Sequence, residues 1–526
     1  MKIKVNFAAL CLMLPLFILV QNSEAKTTRS PSATNQKILA AGTPPAADAE
    51  ITSAEFDKAI KDADARANRT VAASDMITDQ ALTDQFKDLR SRFIGGPSYK
   101  NGKEGEPTQK GIKTPAELHT FLQDINNDAY YNALSPDAQF LAAQMAPLIA
   151  FHGFFNRAMD LMEPTPITHM ASVVGLRTFA SGVMVYFPTD QWKVGMEYIT
   201  MPSSDMGTLI KDEDDLHLFM QNELIPAIAK MKDRIKALNF ASKPIYFDNR
   251  FFYGTASFFS DRDQYFRIGE AERLTVLANS FYILSGLESL NAYNLQGLFG
   301  AMDQISKDFG FSTVLFNPEG TTARKRFSVL ENMSKRTNLF HIRPDGDTWM
   351  RRSYQSLNQA VYNNTIAFRE LKKYPDDKDS SLNFMDPRTF MSSFPRMGAG
   401  LRNMRIIVTG GNEKDPIVQS AVINSDGRHI TLKNFFYNPP QTLTTLMPTA
   451  FDSTPYNPKS TILYEGKIRP WHNFLAGRPT AWNITEYKKI FPNEVNNSED
   501  VKSTARVMAQ AWGGWLLGVP MSALVL

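Results

Sequence analysis

The densest grouping of side chains able to do chemistry is His341-Ile342-Arg343-Pro344-Asp345-Gly346-Asp347. One imidazole and two carboxylates around a tight turn suit a divalent cation, or a general base with its orienting acid. Asp-Gly-Asp is also a favoured turn, and Asp347 is placed to cap a helix that includes Trp349. That structural reading of His341, Asp345 and Asp347 weighs more than the chemical one.

A second grouping is Asp261-Arg262-Asp263 with Arg267, Glu270, Glu272 and Arg273. Paired carboxylates such as Glu270 and Glu272 can carry out acid/base hydrolysis of a glycan. A helix start capped by Ser260, with Arg267, Glu270 and Arg273 spaced three apart as surface ion pairs, accounts for the same residues more simply. The third grouping is aromatic: Tyr246, Phe247, Phe251, Phe252 and Tyr253, then Phe258 and Phe259. Such density lines an apolar or sugar-binding groove, although it more often fills a core where a loop crosses helices. Basic clusters at Arg324-Lys325-Arg326, Lys335-Arg336 and Arg351-Arg352 read as solvated helix faces.

Familiar catalytic signatures are missing. The sequence has no His-Glu-x-x-His, no Gly-x-Ser-x-Gly, no phosphate-binding Gly-Lys-Ser/Thr loop and no acidic calcium loop. Ser-x-x-Lys occurs only at Ser23–Lys26, and the single cysteine is Cys11. Nothing in the sequence implies a metal or a cofactor, and the reading leans away from catalysis.

The elements that must position these groups follow from patterning. The chain has 526 residues, 43% hydrophobic and 21% charged, which suits folded cores and excludes disorder or a coiled-coil rod. Lys plus Arg number 57 against 54 Asp plus Glu, a balance with no electrostatic case for a nucleic-acid partner. Thr52 with Glu55, and Thr114-Pro115 with Glu117, are capping boxes; Ser135-Pro136 opens another helix. The glycine- and charge-rich stretch 95–111 reads as an exposed loop.

Apolar stripes at helical spacing run from Leu216 to Leu238, Leu274 to Ile305 and Met350 to Leu371. Pro226 interrupts the first and predicts a kink near Asn222. Prolines number two in residues 211–317 and eleven in 375–479, so the later region cannot be built of long helices. Within it, 418–424 and 428–436 look like strands joined by Ser425-Asp426-Gly427. At the C-terminus Ser498 is placed as a helix cap, with Glu499 and Asp500 in the first turn.

The expected fold is mainly α: a large multi-helix body over 51–374, then a Pro-rich α+β region over 375–480 containing a small β-hairpin or sheet. A C-terminal helix and apolar tail over 481–526 complete it. Residues 1–25, with Lys2, Lys4, an apolar run and small residues before a cut between Ala25 and Lys26, have the layout of a signal peptide. Residues 26–50 then read as a disordered spacer. A mature chain without cysteine favours a bacterial periplasm or outer envelope over a disulfide-rich extracellular space. The apolar stretch 166–187 carries Arg177 and reads as a buried helix. Residues 507–526 carry no charge and allow peripheral membrane contact, although capping and glycines favour a packed helix and tail.

The functional expectation is an exported envelope protein that binds a partner protein, lipid or glycan without catalysis, and binds no nucleic acid. The alternatives are an envelope hydrolase with carboxylates dispersed in sequence, and a membrane-attached assembly component using 507–526.

Overall fold

A computed structural model describes residues 45–66, 81–100, 103–158, 192–200, 207–241, 243–248, 265–298, 338–371, 373, 401, 404–405, 408, 431–446, 449–451 and 479–501. Outside them lie the cleavage pair Ala25 and Lys26, the stretch 166–187, Phe251, Phe252, Tyr253, Asp261 to Asp263, the basic clusters at 324–326 and 335–336, the proposed hairpin strand 418–424 and the tail 507–526.

The described residues are mainly helical, with small two-stranded antiparallel sheets. In chain order the elements are α1 (Ser53–Ala65), α2 (Asp84–Ile94), β1 (Gly96–Lys100), β2 (Lys103–Gln109), α3 (Pro115–Asn126), α4 (Asp128–Asn132), α5 (Pro136–Met145) and α6 (Phe154–Arg157). Then come α7 (Trp192–Thr200), α8 (Glu213–Phe219), α9 (Ile225–Ala237), β3 (Ile245–Asp248), β4 (Tyr265–Ile268), α10 (Glu270–Ala292) and α11 (Gly346–Leu371). The last are α12 (Lys433–Tyr437), β5 (Ala450–Phe451), β6 (Pro479–Ala481) and α13 (Ile484–Ile490).

Local chemistry explains the boundaries. Both capping boxes form: the Thr52 and Thr114 hydroxyls accept from the Glu55 and Glu117 amides, and each glutamate accepts the cap amide in return. At Pro226 the chain does not simply kink. A π turn over Met220–Leu224 feeds α9, and the widened turn sits where a proline deprives the ladder of a donor. Stretch 95–111, expected as a loop, is instead the antiparallel hairpin β1–β2, with Gly96 opposite Gln109 and Lys100 opposite Lys103. Its entry is a glycine pair at positive φ, a conformation that period-2 patterning does not register.

Two further expectations are corrected. Residues 433–437, expected within a strand, form α12, because Leu432 and Phe436 at i and i+4 bury together against α11. The C-terminal helical turn is capped by Asn497 rather than Ser498: its side-chain oxygen accepts from the Asp500 amide, and Asp500 accepts from Asn496 and Asn497. In the Pro-rich region the described sheet is the short β5–β6 pair.

α10 is the axis of the body. It is buried on nearly every face, which explains why its sequence shows little one-sided patterning. α11, which carries the expected Met350 to Leu371 stripe, packs along it, and α9 covers another side. The α10–α11 seam contains polar groups as well as apolar ones. Ser353 donates to the Ser285 carbonyl at 2.7 Å and lies 2.6 Å from the Ser289 hydroxyl. Small side chains let the two backbones approach, and the hydroxyls satisfy each other inside. At the entry to α11, Gly346 lies against Ala292 and Ile342 so closely that a β-carbon there would be 2.5 Å from the Ala292 carbonyl oxygen.

Elsewhere charges stitch elements together. Arg90 of α2 pairs with Asp248 of β3 at 2.5 Å with both side chains buried. Arg234 of α9 donates to the Ile125 and Asn126 carbonyls, capping the C-terminus of α3, and lies 4.0 Å from the centre of the Tyr131 ring. The apolar segment Pro136–Arg157 is long enough to cross a membrane, but it is 78% buried in the body and serves as core.

Residues 45–51, expected to belong mostly to a disordered spacer, are an extended strap. Arg352 donates to the Pro45 carbonyl at 2.5 Å and Gln359 to the Ala49 carbonyl at 2.6 Å. Asp48 meets Lys232 and Lys236, and Glu50 meets Lys433 and the Tyr437 hydroxyl. Burial alone would raise the Asp48 carboxyl, but the two lysines hold it below the ordinary value. A segment poor in large apolar residues is thus ordered by polar bonds to its backbone, which composition does not reveal.

Candidate binding cleft

The cleft is built where α10 ends and α11 begins. Three chain segments meet there through backbone bonds. Asn294 donates to the His341 carbonyl at 2.7 Å and Arg343 to the Ala292 carbonyl at 2.9 Å. Ile342 donates to the Gln441 carbonyl at 2.9 Å and Leu443 to the Phe340 carbonyl at 3.1 Å. Phe340 adopts a positive φ of 61°, at a cost of about 1–2 kcal/mol for a residue with a bulky side chain. The bonds on either side hold it there. The Arg343 guanidinium donates to the backbone and side-chain oxygens of Asn291, both at 2.9 Å, closing the C-terminus of α10.

This knot lays residues 438–445 across the first turns of α11, and α13 closes the other side. Tyr487 of α13 donates to the Leu446 carbonyl at 2.9 Å, fixing that wall. The enclosed space is about 600 Å³ and is lined by Asp347, Arg351, Tyr437, Asn438, Pro439, Pro440, Gln441, Thr442, Thr445, Glu486, Lys489 and Ile490. Most of these present charged, amide or hydroxyl groups; Tyr437 supplies a ring. Burial, and then the Glu50 carboxylate that its hydroxyl bonds, push the Tyr437 phenol up, so it stays a donor.

The predicted site residues fall in different places. Asp347 lines the cleft; it is the second residue of α11, not the residue before it. Asp345 accepts from the Trp349 indole at 2.9 Å and faces Arg343 at 3.7 Å, a helix-start role. His341 is exposed and bridges Thr442 through its backbone. Glu270 accepts from the Phe240 amide and pairs with Arg273 at 2.5 Å, while Glu272 accepts from the Gly269 amide. The Glu270–Arg273 pair is buried rather than on the surface, and Arg267 is a buried residue of β4, not of a helix.

Glu270 and Glu272 begin α10, whereas His341 and Asp345 sit at its other end. At 1.5 Å per residue that is roughly 30 Å, so they share no cavity. Phe247 is core, edge-on to Phe86 at 5.1 Å; Tyr246 is half-buried beside it on β3. Among the described residues no three His, Cys, Asp or Glu side chains are grouped to hold a metal.

Two features escaped sequence reasoning. Glu288 is buried in the α10–α11 seam, accepting from Ser356 at 2.7 Å and pairing with Arg352 at 3.1 Å. Burial pushes its carboxyl up to about 7, against the pull of Arg352. A lone glutamate inside the Leu274–Leu298 stripe was its only signal. His119, His152 and Tyr198 form a stack, with ring centres 4.3 and 4.6 Å apart. They come from three distant segments, and nothing local in sequence marks them.

Comparisons with models of protein families, with curated proteins and with solved structures return no match. The cleft's geometry therefore carries the functional reading.

Proposed function

We propose that this chain is a non-catalytic binding protein of the bacterial envelope and that its ligand is a glycan held in the cleft between α11, residues 438–445 and α13. The mixed lining of a space of about 600 Å³, with acids, amides and hydroxyls set beside a tyrosine ring, two prolines and an isoleucine, carries the reading. Acids, amides, hydroxyls and a tyrosine ring match the hydroxyls and the ring faces of sugars. An acyl chain would cover the charged Asp347 and Arg351 side chains without offering them a hydrogen bond, and a flat protein surface would not enter the concavity.

The hydrolase alternative has one observation behind it: Asp347 and Glu486 both line the cleft. Against it, Glu486 is bonded to Lys489 at 2.6 Å. The carboxyl raised to about 7, Glu288, is sealed in the helix seam and not among the cleft's lining residues. Export through residues 1–25 and cleavage after Ala25 remain part of the proposal on sequence grounds, and membrane contact through 507–526 remains the alternative to a packed tail.

Titration calorimetry of the full chain against a panel of envelope oligosaccharides tests the reading. Saturable binding without cleavage of the sugar supports it, and cleavage products would favour the hydrolase. Absence of binding to every oligosaccharide would overturn the glycan reading. Carbonate extraction of cell envelopes tests membrane contact, with release into the soluble fraction as the expected result.

A further inference from the structure

Two charged side chains in the cleft are uncommitted. Asp347 and Arg351 stand one turn apart on α11, a spacing at which an acid and an arginine ordinarily pair. They do not pair with each other, and among the described residues neither makes a hydrogen bond or an ion pair. Arg351 lies instead over the Tyr437 ring, its guanidinium carbon 5.6 Å from the ring centre. Both side chains are exposed to the cleft's solvent. The other two charges, Glu486 and Lys489, neutralise each other at 2.6 Å.

A ligand therefore meets one guanidinium and one carboxylate, each without an ion-pair or hydrogen-bond partner among the described residues. The guanidinium fork matches a planar carboxylate through two parallel bonds. The Asp347 carboxylate, acceptor only, matches a pair of sugar hydroxyls. A dianionic phosphate fits less well, because one arginine would have to balance two charges beside the Asp347 carboxylate, with Lys489 already paired to Glu486. Building on the glycan reading above, we propose that the ligand is an acidic glycan of the uronic-acid type, with its carboxylate on Arg351 and neighbouring hydroxyls on Asp347.

The test is calorimetry of the full chain against an oligogalacturonate, its methyl ester and a sugar phosphate. The acid should bind at least tenfold tighter than its ester, and the gap should narrow at high salt. Arg351→Gln should abolish the preference of acid over ester, and Asp347→Asn should weaken acid and ester alike. Since both side chains are exposed, unchanged circular dichroism and Tm serve as the folding control. Equal binding of acid and ester, a preference that survives Arg351→Gln, or a tighter grip on the sugar phosphate would each overturn the inference while leaving a glycan site standing. If no sugar binds at all, the glycan reading falls with it.

Discussion

Asn358 holds Ile51 by both of its backbone groups: the side-chain oxygen accepts from the Ile51 amide at 2.7 Å, and the side-chain nitrogen donates to the Ile51 carbonyl at 3.1 Å. This is the way one strand reads another, performed here by one amide on α11. It fixes the point where the strap turns into α1. Asn358→Ala should cost about 1–3 kcal/mol, because it leaves both groups of Ile51 without partners. Hydrogen exchange should accelerate across 45–51 before it does in α10. Unchanged exchange there would show that the strap does not depend on this bond pair.

Glu288 makes stability fall as pH rises. Its folded carboxyl titrates near 7 and its ordinary value is 4.5, so between those values the folded chain keeps a proton that the unfolded chain has released. The contribution is complete below about pH 4.5 and lost as pH passes 7, an effect of up to about 3 kcal/mol. Urea unfolding from pH 6.5 to 8, above the window in which His217 opposes it, should show this slope in the native chain. Glu288→Gln should remove it.

His217 works in the opposite sense. Burial, with the Arg343 guanidinium nearby, pushes its imidazole down to about 4, and its ring nitrogen lies 3.2 Å from the Asn291 side-chain oxygen. Between pH 6.5 and 4 the unfolded chain takes up a proton that the folded chain refuses, so acidification destabilises by up to about 3 kcal/mol. His217→Gln should therefore gain stability on acidification from pH 6.5 to 4.5, the Glu288 contribution being left unopposed. Because the two windows overlap between 4.5 and 6.5, the native profile there should be flatter than that of either single variant.

Arg157 should not tolerate replacement by lysine. Its guanidinium is buried, makes a two-pronged pair with Glu223, donates to the Thr208 carbonyl at 2.9 Å and lies 5.1 Å from the centre of the Phe219 ring. An ammonium cannot make these contacts together. Arg157→Ala should cost about 3 kcal/mol and Arg157→Lys most of that, measured by chemical denaturation. A double-mutant cycle with Glu223→Gln should show coupling well above that of an exposed pair.

What could be read in the sequence was whatever is local. Thr52 with Glu55 and Thr114 with Glu117 announce their helices because both partners of each cap lie within one turn. The stripe from Met350 to Leu371 announces α11 because one face of it is buried. What could not be read depends on groups that meet only after folding. Asp347 was visible, but as a turn residue. Its companions Tyr437, Gln441, Glu486 and Lys489 come from segments roughly 90 to 140 positions away, each ordinary in its own neighbourhood. Residues 433–437 misled because aromatic density resembles a strand until α11 is there to receive Leu432 and Phe436. The strap was missed because its order resides in Asn358, Gln359 and Arg352, not in its own residues.

The tight approach at Gly346 has a bearing on how this protein can vary. Every other amino acid would drive a carbon into the Ala292 carbonyl oxygen and the Ile342 side chain, the nearest of whose carbons would be 2.4 Å away. Relief could come only by lifting the start of α11 from the end of α10, and Asp347 and Arg351 would move with it. The two charged side chains that line the cleft are thus aimed by a neighbour that has no side chain of its own. Substitutions at 347 and 351, whose side chains are exposed, leave this packing alone, whereas any side chain at 346 disturbs it.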